Sequence, residues 1–407
     1  MKVKKIAIVW ESETGGGVNS HLRYLLQSKS FLDKEIVIFT NYQNSGAKSL
    51  INDFKEKKKI KFVFYDSPFV RKRNFLGKSF AYFFKPIFFI ITIIKFKKIF
   101  SKSNFDVLLC ECGNYGRFRS EPAAVLAAKR TNIPIKSIVI HHECVKAPLF
   151  MGFVLKIINY FFSKKLSSLI TVSNATKETI LKNSNLLKYN RVKTAVIHNG
   201  VPINKFIRKN YLDLKINKDY ESILKIGMVS RLSPDKGHED LILAFSKLSS
   251  EYKKKLVIII VGEDERNQKS RLEKKIKNLN LQNKIIFLNY VNIDSKKIIL
   301  SLDLLLSMTR SYEGFGLSIA EAMSVGTPVL ATDVGGVKEF FDNDCGRLIK
   351  PGQIEDIKNS LQDFCDNKKQ WDDKAKIARE RIEKNFNAEI MGEKYMHHIN
   401  LIANKTK

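Results

Sequence analysis

Short apolar runs of strand length alternate with helical patterns along the whole chain. A first series occupies residues 6–10, 35–39, 60–64, 106–110, 136–140, 169–172 and 193–198, and a second occupies 224–229, 256–261, 285–288, 304–306, 328–331 and 346–349. Most of these runs are nearly continuous in Val, Ile and Leu, which marks strands covered on both faces. Helical segments between them imply crossover connections and parallel sheets. The polar stretch 202–221 separates the two series and reads as a hinge. The expectation is an α/β chain of two doubly wound domains, 1–203 and 204–384, with a last helix within 385–407 returning to the first. Ligands of open parallel sheets bind beyond the carboxyl ends of the strands. Two such domains facing one another would enclose a deep cleft.

At 407 residues and 44% hydrophobic content, the chain can build two cores. Its five cysteines (Cys110, Cys112, Cys144, Cys345, Cys365) are odd in number and form no CxxC pair. That argues against a disulfide framework or a zinc site, and fits a reducing cytoplasm best. The opening MKVKKIAIVWE has an apolar run that stops at Glu11, too short for a signal peptide.

Charge changes this picture more than composition does. The formal net charge is +30, and residues 1–209 hold 38 Lys and Arg against 12 Asp and Glu. Residues 210–407 hold 33 against 29. A one-sided basic half calls for an anionic partner: lipid head groups, lipid-linked diphosphates or nucleic acid. Nucleic acid is set aside, because no recognisable RNA- or DNA-binding module interleaves aromatics with the basic residues. Segment 80–100, FAYFFKPIFFIITIIKFKKIF, has nine uncharged residues in a row at most, whereas a bilayer-spanning helix needs about twenty. It reads either as a helix lying in a membrane interface, with Lys85, Lys95, Lys97 and Lys98 at the head groups and Arg71, Lys72 and Arg73 upstream, or as a core helix with lysines at its ends.

Candidate chemistry concentrates in 311–340, SYEGFGLSIAEAMSVGTPVLATDVGGVKEF. Glu313 and Glu321 flank Gly314, Phe315 and Gly316, a turn that opens a helix. The backbone N–H groups of Phe315, Gly316 and Leu317 would then face a phosphate, with glycine permitting close approach. Arg231 ends a strand and Lys236 precedes Gly237 and a helix, so a guanidinium and an ammonium can converge on one diphosphate. Glu11–Asn19 carries Gly15, Gly16 and Gly17 before a helix. The spacing is not G-x-G-x-x-G and no acid closes the second strand, which argues against a dinucleotide site. His141 and His142 precede Glu143 at a strand end, and either can face the ligand side. Asp342, Asn343 and Asp344 lie in a polar turn without further oxygen ligands and read as structural, so no metal is expected.

The order Gly-x-x-Ser-Arg, Lys-Gly, Glu-x₇-Glu, then Ala322, Met323, Gly326, Pro328 and Val329, resembles the signature of retaining GT-B glycosyltransferases of family 4. The resemblance spans nearly the whole chain. It implies a metal-independent hexosyltransferase with no cofactor beyond its nucleotide-sugar donor, a UDP-sugar ahead of a GDP-sugar. It assigns Glu313 to the donor sugar, Glu321 to the ribose hydroxyls, Arg231 and Lys236 to the diphosphate, and Gly16 and Gly17 to the donor's diphosphate and sugar from the first domain. His142 matches the family's reaction-centre histidine better than His141. The implied acceptor is a saccharide or lipid-linked saccharide of bacterial surface polysaccharide synthesis, with the enzyme peripheral at the inner face of the cell membrane. Asp264 stands where the family often has Gly, as does Asn289, which leaves the base open. A silent nucleotide-binding scaffold and a soluble-acceptor transferase are the alternatives.

Overall fold

The computed structural model describes residues 2–13, 15–70, 84–115, 118–128, 131, 133–146, 149–189, 192–203, 223–265, 267–289 and 295–405. Arg71, Lys72, Arg73, residues 80–83, hinge residues 204–221 and Tyr290 lie outside them. The chain divides into two compact units, Met1–Asn199 with Ala388–Lys407, and Gly200–Asn387.

The first unit is one parallel sheet of seven strands: β1 (Lys5–Trp10), β2 (Glu35–Asn41), β3 (Ile60–Tyr65), β4 (Val107–Cys112), β5 (Ile135–Ile140), β6 (Ser168–Thr171) and β7 (Lys193–Val196). Their order is β3-β2-β1-β4-β5-β6-β7. Central strands are buried throughout, as in β4, whereas the edge strands β3 and β7 expose Lys61, Lys193 and Thr194 and so blunt the open edges. The helix Lys85–Phe100 packs Phe96 and Phe100 with Phe39 and Phe105 in edge-to-face and stacked pairs. Truncating one such ring to alanine costs about 3–5 kcal/mol. Of the two readings of this segment, the core helix describes its inner face; its outer face is exposed.

The second unit is a parallel sheet of six strands: β8 (Leu224–Val229), β9 (Leu256–Gly262), β10 (Ile285–Asn289), β11 (Leu304–Ser307), β12 (Val329–Thr332) and β13 (Arg347–Ile349), in the order β10-β9-β8-β11-β12-β13. All thirteen strands lie within two residues of the runs read from the sequence.

Strand order reverses between β1 and β4 in one sheet and between β8 and β11 in the other, and such switch points open a crevice at the carboxyl ends. The same device closes the opposite edge of both crevices. Asp106 accepts the Lys4 and Lys5 N–H groups at 2.7 and 2.8 Å, and Asp303 accepts that of Lys225 at 2.8 Å. The helix Ala388–Lys405 belongs to the first unit. Gly392 lies so close to Ser28 that a Cβ there would sit 2.2 Å from the hydroxyl oxygen, and Tyr395 is wholly buried beside His21.

Candidate functional site

In the second unit the loops after β8 and β11 interlock at the switch point. Gly237 has φ 73° and a Cβ there would lie 2.0 Å from the Met308 carbonyl oxygen, so only glycine lets the two loops touch. Arg310 donates its backbone N–H to the Asp235 carbonyl at 2.7 Å, and its guanidinium grips both carboxylate oxygens of Asp240. This clamp brings Lys236 Nζ to 2.6 Å from Glu313 Oε2, with Thr309 Oγ1 at 3.4 Å from the same oxygen. A second glycine fixes the backbone of Glu313. Its carbonyl accepts the Gly336 N–H at 2.9 Å, and a Cβ on Gly335 (φ 57°) would come 2.0 Å from that carbonyl oxygen.

Beyond Glu313 the chain passes Gly314 and Phe315, whose ring is buried and stacked on Phe340 at 4.3 Å, and enters the helix Leu317–Val325 through Gly316 at φ 100°. No side chain caps this helix, and its first internal bond joins the Ala320 N–H to the Gly316 carbonyl. Leu317, Ser318 and Ile319 are therefore the residues whose N–H groups the helix leaves without a helical acceptor, two positions beyond the 315–317 set expected from the sequence. Glu321, one turn further, is buried and accepts the Ser295 hydroxyl at 3.0 Å.

Arg231 follows β8 by two residues and pairs with Glu265. Asp235, between the two cations, is held below the ordinary carboxylate range although burial alone would raise it; the Ser233 hydroxyl, Lys236 and Arg231 outweigh that burial. His238 is pushed down to about 4 by burial and by Lys236, so it is neutral when its Nε2 lies 3.3 Å from Ser230 Oγ. The Asp342–Asp344 triplet caps a turn. Asp342 accepts the Asp344 and Cys345 N–H groups and pairs with Arg381, while Asn343 accepts the Leu348 N–H.

The first unit gathers different groups at its switch point. Gly16 (φ 135°) stands before the helix Gly17–Gln27, and the Gly15 N–H donates to Ser45 Oγ at 3.0 Å. From that helix His21 turns inward. It meets Glu111 of β4 and His141 after β5, with His141 Nε2 2.6 Å and His21 Nε2 3.7 Å from Glu111 Oε2. Asn199 Oδ1 lies 2.9 Å from His21 Nδ1. Burial raises Glu111 to about 7, lowers His21 to about 4 and His141 to about 3. Two imidazoles and a carboxylate are a plausible donor set for a divalent metal. The 2.6 Å separation is that of a hydrogen bond, however, and donors about 2.0–2.2 Å from one tetrahedral ion stand over about 3 Å apart. The arrangement is that of a hydrogen-bonded cluster in which both imidazoles are neutral and Glu111 is protonated below about 7. His142 turns away from it, is half-buried, and has its Nδ1 3.3 Å from Asn114 Nδ2.

A second buried group lies beside β1. Glu11 accepts the Ser67 and Ser120 hydroxyls, and its own N–H donates to Glu121 Oε1 at 3.1 Å. Burial, then the neighbouring Glu11, raises Glu121 to about 8. Sequence reasoning did not single out His21, Glu11, Glu111 or Glu121 as functional groups. The signal available was an acid interrupting an apolar strand end, as in Leu-Leu-Cys-Glu-Cys.

Known proteins resemble this chain as follows. Residues 213–384 match the family described as glycosyl transferases group 1. Two uncharacterized glycosyltransferases of Methanocaldococcus jannaschii are 30% and 32% identical over 56% and 46% of this chain, which spans only 59% and 47% of their lengths. A UDP-Gal:alpha-D-GlcNAc-diphosphoundecaprenol alpha-1,3-galactosyltransferase of Escherichia coli is 26% identical over 77% of this chain and 80% of its own. Among solved structures, Anabaena HepE in complex with UDP and glucose superposes with a TM-score of 0.75 and 20% identity, over 98% of this chain and 99% of its own. The interlocked loops around Lys236 and Glu313 lie inside residues 213–384, the segment that matches the glycosyl transferases group 1, and the whole chain has a fold of the GT-B type.

Proposed function

We propose that this protein is a retaining, metal-independent glycosyltransferase that moves a hexose-type sugar from a UDP-sugar to a saccharide or lipid-linked saccharide acceptor. The observation that carries the reading is the meeting of Lys236 and Glu313 at the second unit's switch point, beside an uncapped helix N-terminus. A diphosphate placed there gains the ammonium of Lys236, the guanidinium of Arg231 and oriented N–H groups at Leu317–Ile319. Each cation is held by a carboxylate until the anion takes it over. Glu313, fixed by Gly335 and Gly336, orients the sugar, and Glu321 takes the ribose hydroxyls in exchange for Ser295.

In this reading the bond from the anomeric carbon to the phosphate oxygen breaks as the acceptor oxygen attacks from the same face. The leaving phosphate oxygen receives the acceptor's proton. The E. coli relative named above acts on a diphosphoundecaprenol-linked sugar, and the basic half of this chain suits an acceptor of that kind. Bacterial surface polysaccharide synthesis, with the enzyme peripheral at the inner face of the cell membrane, follows as the proposed setting. His142, Gly16 and Gly17 are the first unit's proposed contacts.

The test is a thermal-shift and donor-hydrolysis screen of UDP-, GDP-, ADP- and dTDP-sugars with Arg231→Ala and Glu321→Ala as controls. Stabilisation by a UDP-sugar, lost in both variants, is the expected result. Nucleotide binding without hydrolysis or transfer would instead mark a silent scaffold, and anomeric NMR of the product reads retention.

A further inference from the structure

Large apolar side chains are exposed in one concentrated place. Fourteen of them are strongly exposed among the described residues, and eight of these lie on two helices of the first unit, Lys85–Phe100 and Leu149–Ser163. The first helix exposes Ile87, Ile90, Ile91 and Ile94, and the second exposes Phe153, Ile157, Tyr160 and Phe161, with Phe153 72% and Ile94 62% accessible. Both sets follow the i, i+3/i+4, i+7 spacing of a single helical stripe. Neither stripe is needed for the core, because the opposite face of the first helix already buries Phe89, Phe96 and Phe100, and Phe162 of the second is buried.

The two helices rest on one apolar cluster, and the buried helix Ser120–Ala127 contacts both. Ile93 of the first helix and Val154, Leu155 and Ile158 of the second pack on the same small cluster of Phe89, Phe118 and Ala123. Both helices are crossovers between parallel strands, so they run in the same direction and their C-terminal turns reach the same edge. Lysines gather there. Exposed Lys97 and Lys98 continue the first stripe one turn beyond Ile94, and Lys164 continues the second, with its Nζ 4.0 Å from the centre of the Tyr160 ring. Neither helix contains an Asp or Glu.

We infer that this two-helix face is a docking surface for an anionic phospholipid bilayer. An apolar patch rimmed on one edge by cations and free of acids fits an interface where side chains enter the acyl boundary and ammonium groups meet head-group phosphates. Helices of 16 and 15 residues extend only about 24 and 22 Å, short of the roughly 30 Å core, and no described helix is long and apolar enough to cross a membrane. The face lies on the membrane rather than through it. Its purpose rests on the lipid-linked acceptor proposed above, but its evidence does not.

The experiment is flotation of the full chain with vesicles of phosphatidylcholine alone and with 30 mol% phosphatidylglycerol, a composition set at roughly the anionic content that attracts polybasic surfaces. The double variants Ile90→Ser/Ile94→Ser and Phe153→Ser/Phe161→Ser, and the triple Lys97→Glu/Lys98→Glu/Lys164→Glu, are run beside it. Wild type should float at least tenfold more with the anionic vesicles. Each serine pair should lose at least tenfold, and the lysine reversal should abolish the preference. Thermal stability and stabilisation by a UDP-sugar should be unchanged in all three, since none touches the second unit. Equal flotation with both vesicles, variants that float like wild type, or a concentration-dependent dimer broken by the same serine pairs would each overturn the inference. Failed flotation with intact donor binding removes the docking face alone, whereas failed donor binding with intact flotation removes the donor reading alone.

Discussion

The two units share one design and use it oppositely. Each is a parallel sheet whose strand order reverses beside a central pair, and each pair is stapled at its far edge by an aspartate, Asp106 or Asp303. At the near edge the second unit sets charged groups in accessible or half-buried ion pairs, Lys236 with Glu313 and Arg231 with Glu265. The first unit buries its acids and histidines, and burial holds His21, Glu111 and His141 close to neutral. Arg231 and Glu265, with side chains 40% and 28% accessible, form the more exposed pair, and since exposed pairs are worth only about 0–1 kcal/mol an incoming anion can take over the guanidinium at little cost; Lys236 and Glu313, at 11% and 22%, exchange partners at a higher one. Buried neutral groups fix a shape instead. The difference suits a unit that exchanges one small charged ligand and a unit that presents a scaffold.

The contrast breaks most readily at Lys236. Lys236→Ala should lower kcat/KM for sugar transfer by about 10²–10³ while leaving the melting temperature within a degree or two; a fall of less than threefold would remove the ammonium from the leaving-group site. Gly335→Ala should instead destabilise the second unit by about 2–4 kcal/mol in urea unfolding, because the methyl would meet the Glu313 carbonyl at 2.0 Å in a left-handed backbone. Unchanged stability would show that the loop gives way. Glu321→Ala should weaken nucleotide affinity about 10- to 100-fold by calorimetry with a smaller change in kcat, and Glu313→Ala the reverse. Identical effects on both parameters would dissolve that division of labour.

The first unit is sharpened through pH. His21 and His141, held near 4 and 3, contribute stability that is present above about 6.5 and lost as pH falls toward those values. Glu111, held near 7, acts in the opposite sense, its contribution falling as pH rises from about 4.5 through 7. Between about 4.5 and 6.5 the two histidines outweigh Glu111; in the same window His238, held near 4, adds to the rise and Glu121, held near 8, opposes it, so stability should still rise with pH. Glu111→Gln removes the opposing proton, and the slope of the urea midpoint against pH should roughly double. An unaltered slope would mean that Glu111 ionises normally. The smallest effect belongs to Glu265→Gln, which frees Arg231 from a partly exposed pair and should tighten UDP binding by only about two- to fivefold.

Much of this was legible before any coordinates. The thirteen strands could be read because parallel strands covered on both faces are written as apolar runs, and the loops that bring Lys236 to Glu313 could be read because glycines that a close backbone approach requires punctuate them. The buried cluster was not legible. His21, Glu111, His141 and Asn199 lie up to 178 residues apart, and each by itself is an ordinary polar residue, His21 within a helix and the others near strand ends. The exposed stripe on Leu149–Ser163 was equally hidden, since that segment is apolar almost all round and its sequence does not say which side the sheet covers.

What the sequence determined by itself is therefore local: strand runs, helix openings and the glycine-flanked motif around Glu313, all governed by backbone geometry and short spacing. What only the tertiary structure decided is which carboxylate each cation faces, which histidine turns inward, which helix faces are left uncovered and which groups lose their charge. Those outcomes depend on desolvation and on partners brought together by the order of strands in a sheet, which no window along the chain contains.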